Sequence, residues 1–237
     1  MSLSLEAKRE LNDTIQALSL AADDSKSFVV SVVEAAARGL PTSNILCNDR
    51  ALARRRALYN DSPGNGSVFQ GRAFHVSAFE YGHFEAADES LATWACHGDS
   101  MRCGPFVTFP RCRRGDTLWT SAERGDELRA YDVLTSGNGR YTAIMQFDGN
   151  FVVYEDCQPN PWGQGAIWNT FTCGHGSYPH TLTLQADGNL VLTDRFRSAL
   201  WRSRSGGSAR GPFRLCMQDD GALVLYDSWG GAVWSSR

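Results

Sequence analysis

This 237-residue chain contains very little lysine and no long apolar run. Only two lysines occur, at positions 8 and 26, so arginine supplies nearly all of the positive charge. The formal net charge of −3 argues against a protein that binds nucleic acid through a general basic surface. The apolar stretch at residues 28–40 is too short to cross a bilayer, which requires about 20 residues. A glycine-rich phosphate-binding loop is also missing.

Cysteine and histidine do not form metal-binding patterns. The chain has seven cysteines and five histidines, but no Cys-x-x-Cys pair and no histidine spacing typical of a zinc or catalytic site. We therefore expect neither a metal nor another cofactor. Cys157 and Cys173 flank one turn, and they are candidates either for a disulfide or for two free thiols. Because no charged-then-apolar leader opens the sequence, we expect a cytoplasmic protein or one released by a non-classical route.

The second half of the chain repeats a nine-residue signature three times, at residues 146–154, 185–193 and 218–226. The shared pattern, Gln-x-Asp-x-Asn-x-Val-x-Tyr, places its specified residues at every second position, which in an extended strand is one face. Adjacent hydroxyls of a sugar need donors and acceptors, and its C–H face needs an apolar partner, so this face predicts sugar binding. The Asp-Gly-Asn triplet is also a good turn former, and a half-buried strand without a ligand is the alternative.

A second motif follows each copy of the signature. It places an aliphatic residue before Trp168, Trp201 and Trp234, which are 33 residues apart. In the first copy the glutamine-to-tryptophan distance is six residues longer, which predicts an insertion in the turn at residues 157–165. A fixed period of this size indicates repeated units, each a small antiparallel sheet. Since the tryptophans recur at one phase beside aliphatic residues, we expect them to pack together in a core.

The signature and its trailing tryptophan resemble the monocot bulb lectins related to snowdrop agglutinin. The resemblance covers about residues 116–237, and the first copy matches the pattern at every specified position. It implies an all-β domain, the β-prism II of three four-stranded antiparallel sheets related by a pseudo-threefold axis. It also implies metal-independent binding of α-mannose in high-mannose glycans, in defence or adhesion, without catalysis. Because family members dimerise by strand exchange, a homo-oligomer is expected.

The resemblance also implies a role for each residue of the signature. The glutamine would bind the sugar O3, the aspartate and asparagine the axial O2, and the tyrosine O4, while the valine packs on the ring carbons. The first site consists of Gln146, Asp148, Asn150, Val152 and Tyr154. The second, weakened because a threonine is too short to replace the tyrosine, consists of Gln185, Asp187, Asn189, Val191 and Thr193. The third, ranked last because Ala222 replaces the asparagine, consists of Gln218, Asp220, Val224 and Tyr226.

The first 115 residues have a different character and are expected to form a separate α+β domain of unrecognised family. Helical signals cover residues 1–40, with one helix beginning after residues 23–25 and stopping at Gly39. Residues 60–66 are expected to be a turn or loop, and residues 68–79 and 106–109 are expected to be strands. The basic run at residues 50–58 is expected to be a solvated helix face.

Two further functions remain open for this N-terminal domain. Its apolar segment could insert into a membrane after a conformational change, which would make the protein a lectin-targeted cytolytic toxin. Alternatively, it could be an enzyme, since Glu80, Glu85, Asp88 and Glu89 are close in sequence, but these form no defined acid–base pair. We expect no enzyme activity. The expected partners are mannose-containing glycans and not nucleic acid, with any membrane contact made through the N-terminal half.

Overall fold

The chain divides into two compact units, Met1–Phe109 and Pro110–Arg237. The computed structural model describes residues 9, 13–18, 22–40, 44–49, 53–59, 62–63, 67–70, 72–86, 94–98, 100–103, 106–113, 115–120, 127–155, 166–207 and 209–237. The predicted insertion at residues 157–165, and with it Cys157, lies outside these residues. So do Asp88 and Glu89 of the acidic cluster.

The described residues of the N-terminal unit form one long helix and nine strands, together with a short helical segment at residues 13–18. The elements are α1 (Ser25–Gly39), β1 (Asn44–Asp49), β2 (Ala53–Tyr59), β3 (Ser62–Pro63), β4 (Ser67–Phe69), β5 (Arg72–Phe79), β6 (Tyr81–Ala86), β7 (Trp94–His97), β8 (Met101–Cys103) and β9 (Phe106–Phe109). One sheet has the order β3-β5-β1-β7, with β4 also paired to β5, and the other has the order β2-β6-β9-β8.

Helix α1 begins and ends where the sequence predicts. The Asp24 side chain accepts the Ser27 N–H at 2.7 Å, which satisfies one of the N–H groups left unpaired in a first helical turn. The apolar residues recur at helical spacing and are buried against the first sheet; they are Phe28, Val29, Val32, Val33 and Ala36. The apolar segment considered above for membrane insertion is therefore already packed in a core. Among the described residues, no helix has the length and apolarity that a bilayer crossing demands.

Three expectations for this unit need correction or completion. Residues 53–59 are not helical but form β2, which pairs antiparallel with β6 along its whole length. Alanine, arginine and leucine favour a helix locally, but the preference is weak and sheet pairing overrides it. The predicted strand at 68–79 is broken by a turn at Gln70, where φ is 47°. Residues 62–63 of the predicted loop pair as β3, and the rest of that loop lies outside the described residues.

All regular elements among the described residues of the C-terminal unit are short strands. These are β10 (Cys112–Arg113), β11 (Thr117–Trp119), β12 (Glu127–Arg129), β13 (Asp132–Thr135), β14 (Tyr141–Met145), β15 (Phe151–Glu155), β16 (Ala166–Asn169), β17 (Thr181–Leu184), β18 (Leu190–Thr193), β19 (Ala199–Arg202), β20 (Arg214–Met217), β21 (Leu223–Tyr226) and β22 (Ala232–Ser235). Their three sheets have the orders β10-β13-β14-β15-β16, β12-β17-β18-β19 and β11-β20-β21-β22.

Each of these sheets combines one sequence repeat with one strand from the segment before the repeats. Strands β11, β12 and β13 go to three different sheets, and each becomes the fourth strand beside three consecutive strands of one repeat. Apart from the short parallel strand β10, which adds to the first sheet, all pairing is antiparallel. The last strand, β22, pairs with β21 of its own chain. Three four-stranded antiparallel sheets, one per repeat, confirm the predicted β-prism.

The three sheets enclose a single apolar core. Alternation along the strands sends every second side chain inward, as at Leu182 and Leu184 of β17, which are fully buried. Trp168, Trp201 and Trp234 meet edge to face, with ring centroids 5.5–5.8 Å apart. Aromatic pairs in this arrangement contribute about 0.5–1.5 kcal/mol beyond the area they bury. The prediction that the repeated tryptophans pack together is confirmed.

Candidate functional site

The nine-residue signature is half turn and half strand. In each copy the glutamine N–H donates to the carbonyl oxygen of the residue four positions later, at 2.8–2.9 Å, which closes a tight turn. The central glycine of each turn has a positive φ of 82–88°, a conformation that glycine adopts without strain. Only the valine and the last residue lie on the strand itself, β15, β18 or β21. The expectation that all five specified residues share one strand face by alternation is therefore wrong, because the Asp-Gly turn chemistry prevails.

The turn still brings the two ends of the signature together. In the first copy Gln146 Nε2 donates to Tyr154 Oη at 2.9 Å. In the third copy Gln218 Nε2 donates to Tyr226 Oη in the same way. The second copy has no tyrosine, and its Thr193 hydroxyl donates to a backbone carbonyl oxygen of the neighbouring strand at 3.4 Å.

The aspartate of each copy is fixed by the turn. One carboxylate oxygen accepts the N–H of the residue two positions later, at 2.9–3.0 Å in all three copies. In the first copy the other oxygen of Asp148 accepts the Cys173 thiol at 3.1 Å, and burial raises the pKa of this carboxyl above its ordinary value. Burial and the same carboxylate raise the pKa of Cys173 to about 11, and the thiol is free. Asp187 and Asp220 are exposed.

The asparagine of the signature has its carbonyl oxygen occupied by the protein. Asn150 Oδ1 accepts the Thr170 hydroxyl at 3.0 Å and the Thr172 N–H at 3.2 Å. Asn189 Oδ1 accepts the Ser203 hydroxyl at 3.0 Å. These bonds fix the amide, so its NH₂ group is the part left to donate to a ligand. The third copy has no amide here because the position is Ala222.

The hydroxyls that hold the turns in place were not among the predicted site residues. Thr170, Ser203 and Ser236 lie two residues after the three core tryptophans, and each accepts the N–H of the first residue of β15, β18 or β21 at 2.9–3.0 Å. Thr172 and Ser205 extend the arrangement by donating to the carbonyl oxygen of the turn glycine at 2.7 Å. The signal was present in the sequence, since the hydroxyl recurs at the same distance from each tryptophan.

The three copies differ in exposure. In the first copy Gln146 is 6% exposed, Val152 1% and Tyr154 0%, so a sugar has no access to the phenol without a rearrangement. In the second copy Gln185 is exposed but lacks the tyrosine. In the third copy both Gln218 and Tyr226 are half-buried. The third copy thus has both an intact glutamine–tyrosine pair and side chains that solvent can reach. On the sequence alone this copy is ranked last.

No group of three or more His, Cys, Asp or Glu residues within the described part of the chain is arranged to hold a metal ion. In the N-terminal unit, Glu85 of the suspected acidic cluster is buried on β6, whereas Glu80 is exposed in the turn before it. In the C-terminal unit, the signatures present amides, carboxylates and phenols that are fixed by hydrogen bonds and lie around a valine. Such a set suits recognition of a polyhydroxylated ligand.

Comparison with known proteins identifies lectins that are similar to part of the chain. No family model matches the chain. Over 69 residues, or 29% of its length, the chain is 41% identical to the B-type lectin plumieribetin of Scorpaena plumieri, of which it spans about half, 52%.

Solved structures of similar proteins cover about half of the chain. A monomeric monocot mannose-binding lectin from Gastrodia elata is 32% identical, with a TM-score of 0.42, over 51% of this chain and 96% of its own. The mannose-specific agglutinin of snowdrop, Galanthus nivalis, in complex with methyl-α-D-mannoside, is 31% identical, with a TM-score of 0.39, over 48% of this chain and 90% of its own. By its repeat, its sheet order and its sequence identity, the C-terminal part of the chain is recognised as a bulb-type (B-type) lectin domain with the β-prism II fold.

Proposed function

We propose that the protein is a lectin that binds α-mannose without a metal ion, through the turn-and-strand sites of its C-terminal unit. The observation that carries the proposal is the third copy, where Gln218, Asp220, Val224 and Tyr226 combine a fixed polar set with an accessible surface. We propose that the first copy, from Gln146 to Tyr154, is a site closed by the burial of its tyrosine. The second copy, from Gln185 to Thr193, is a site weakened by the loss of the tyrosine. The identity to a B-type lectin supports the same function.

The hydrogen bonds inside the third copy determine what it offers to a sugar. Because Gln218 donates to the Tyr226 oxygen, the tyrosine hydrogen is directed elsewhere and is free to donate to the sugar O4. The glutamine carbonyl oxygen remains an acceptor for the O3 hydroxyl. Asp220 has one oxygen bound to the Ala222 N–H, which leaves the other for the axial O2 hydroxyl. An axial O2 distinguishes mannose from glucose, so this contact gives the preference.

Val224 supplies the apolar component of the site. It is 6% exposed and lies on β21 two residues before Tyr226, so its methyl groups form the floor on which the ring carbons of the sugar rest. The absent asparagine amide costs roughly 0.5–1.5 kcal/mol of affinity. We therefore expect weak binding by one chain and useful avidity only when several sites engage one glycan. High-mannose glycans present the required clusters, and an oligomer acting in defence or adhesion is the corresponding biological setting.

Isothermal titration of methyl α-D-mannoside into the full chain, in the presence of EDTA, tests this proposal. Tyr226→Phe removes one hydroxyl, and we expect it to weaken binding roughly two- to twelvefold, the range for one hydrogen bond. Tyr178→Phe is the matched control, because Tyr178 is 39% exposed and lies outside all three signatures. The proposal fails if the mannoside does not bind, if EDTA abolishes binding, or if both variants behave alike.

A further inference from the structure

A row of three large side chains crosses the third sheet beside the proposed mannose site. Trp119 of β11 lies opposite Arg214 of β20, and Arg214 lies opposite Tyr226 of β21. Directly opposed residues in an antiparallel sheet project to the same face. The arginine and the tryptophan therefore stand on the face that carries the proposed sugar-binding tyrosine.

Arg214 is held by aromatic rings and not by a carboxylate. Its guanidinium carbon is 4.8 Å from the Tyr226 ring centroid and 5.8 Å from that of Trp119. Among the described residues, no acidic group lies within ion-pair distance of Arg214, whereas Arg140 pairs with Glu155 at 2.6 Å. Two cation–π contacts thus orient a positive charge whose N–H groups are still available.

The corresponding rows of the other two sheets do not have this arrangement. In the first sheet the row is Thr135, Thr142 and Tyr154. In the second it is Arg129, Thr181 and Thr193, and Arg129 already contacts Glu127 at 3.4 Å. An unpaired cation between two aromatic rings is therefore peculiar to the third copy, the same copy that lacks the asparagine amide.

We propose that the third copy binds a sugar that carries a carboxylate at C6, a hexuronic acid, in preference to a neutral hexose. The inference rests on the proposed function, in which Tyr226 contacts O4. The C6 group is attached to C5, the neighbour of C4, so it lies on the tyrosine side of the site, where Arg214 stands. A planar guanidinium and a carboxylate form paired, charge-assisted hydrogen bonds.

The remaining charges and rings fit the same ligand. Asp220, which would repel an anion, lies in the turn before β21, whereas Arg214 lies opposite its last residue. Trp119 is 53% exposed and offers an apolar plane to the C–H face of a neighbouring sugar in a chain. The site is thus suited to an acidic residue within an oligosaccharide.

The test compares two methyl glycosides that differ only at C6, by titration into the full chain. They are the α-methyl glycoside of D-mannuronic acid, here called the mannuronate, and methyl α-D-mannoside. We expect the wild type to bind the mannuronate about tenfold more tightly, as one charge-assisted pair provides. The preference should shrink as salt is raised from about 50 to 300 mM, because the site is accessible to counterions. Arg214→Gln should reduce the ratio of the two affinities to about one, and Arg214→Lys should give an intermediate ratio, since an ammonium lacks the planar fork.

Arg195→Gln is the matched control. Arg195 also lies over an exposed aromatic ring, that of Phe196, at 5.1 Å, but it stands in a turn outside the signatures, so its removal should leave the ratio unchanged. Equal affinity of the wild type for the two ligands, or a preference that survives in Arg214→Gln, overturns the inference while leaving mannose binding intact. Failure of both ligands to bind refutes the proposed function as well. Circular dichroism of each variant confirms that the fold is retained.

Discussion

Replacing Thr170 by valine tests whether hydroxyls two residues after the core tryptophans hold the turns of the nine-residue signature in place. Valine has nearly the shape of threonine, so the substitution removes hydrogen bonds without opening a cavity. Thr170 is 5% exposed, and its hydroxyl accepts the Phe151 N–H at 3.0 Å and donates to Asn150 Oδ1 at 3.0 Å. In the variant the Phe151 N–H would be buried without a partner.

The cost follows from that burial. A buried donor that loses its partner costs about 1–3 kcal/mol, whereas an accessible donor regains a water molecule and costs less. Ser236→Ala is the matched comparison, because Ser236 accepts the N–H of the buried Leu223 at 3.0 Å but is itself half-buried, so water can reach the space that its hydroxyl leaves. Ser236 also has no asparagine beside it. We therefore expect Thr170→Val to lower the free energy of unfolding by about 1–3 kcal/mol, and Ser236→Ala to lower it by less than about 1 kcal/mol.

Urea unfolding followed by tryptophan fluorescence measures both variants. Six of the seven tryptophans lie in Pro110–Arg237, so the signal reports mainly on the unit that carries the change. The slope of the free energy of unfolding against urea concentration should remain that of the wild type, because the same surface is exposed on unfolding. Equal losses of stability in the two variants, or a loss below about 0.5 kcal/mol in Thr170→Val, would show that these hydroxyls do not anchor the turns.

Two further predictions concern the turns. A Cβ at Gly188, where φ is +82°, would lie 2.6 Å from the Phe213 ring, whereas one at Gly207, where φ is +99°, meets nothing within 4 Å. Gly188→Ala should therefore destabilise the fold by about 1–3 kcal/mol more than Gly207→Ala. Equal midpoints of thermal unfolding for the two variants would contradict this prediction. Burial raises the pKa of Asp148, so its contribution to stability is present below the ordinary aspartate pKa and is lost as the pH rises through the folded-state value. The free energy of unfolding of Asp148→Asn, relative to that of the wild type, should thus increase as the pH rises from about 3 to about 7. A difference between the two proteins that stays constant with pH in urea unfolding would contradict this.

The repeat made much of the C-terminal unit predictable. Three matching copies indicated three sheets, and the constant spacing of the tryptophans indicated a shared core. In that core the ring centroids of Trp168 and Trp201 are 5.8 Å apart. A single copy was less informative, because alternation predicts a strand face while Asp-Gly predicts a turn, and the structure contains both. Register and turn geometry decided which residues meet, and these depend on pairing with distant strands.

Exposure of the sites was not predictable from the signature. The first copy matches the pattern at every position, yet Tyr154 is 0% exposed, because burial depends on the rest of the chain and not on the nine residues. Conversely, the cation of the third copy comes from β20, outside the signature, and contacts the tyrosine only through cross-strand pairing. In the N-terminal unit the helix was predictable from its cap and its stop signal, whereas β2 was not, since its residues favour a helix in isolation.

Crystals soaked with methyl α-D-mannoside in the presence of EDTA provide the most direct measurement of metal-free sugar binding. We expect a mannoside in the third copy, with O4 within hydrogen-bond distance of Tyr226, O2 beside Asp220 and the ring over Val224, and no sugar at the first copy while Tyr154 stays buried. A third copy that remains empty at saturating mannoside, or a sugar bound away from all three signatures, would contradict it.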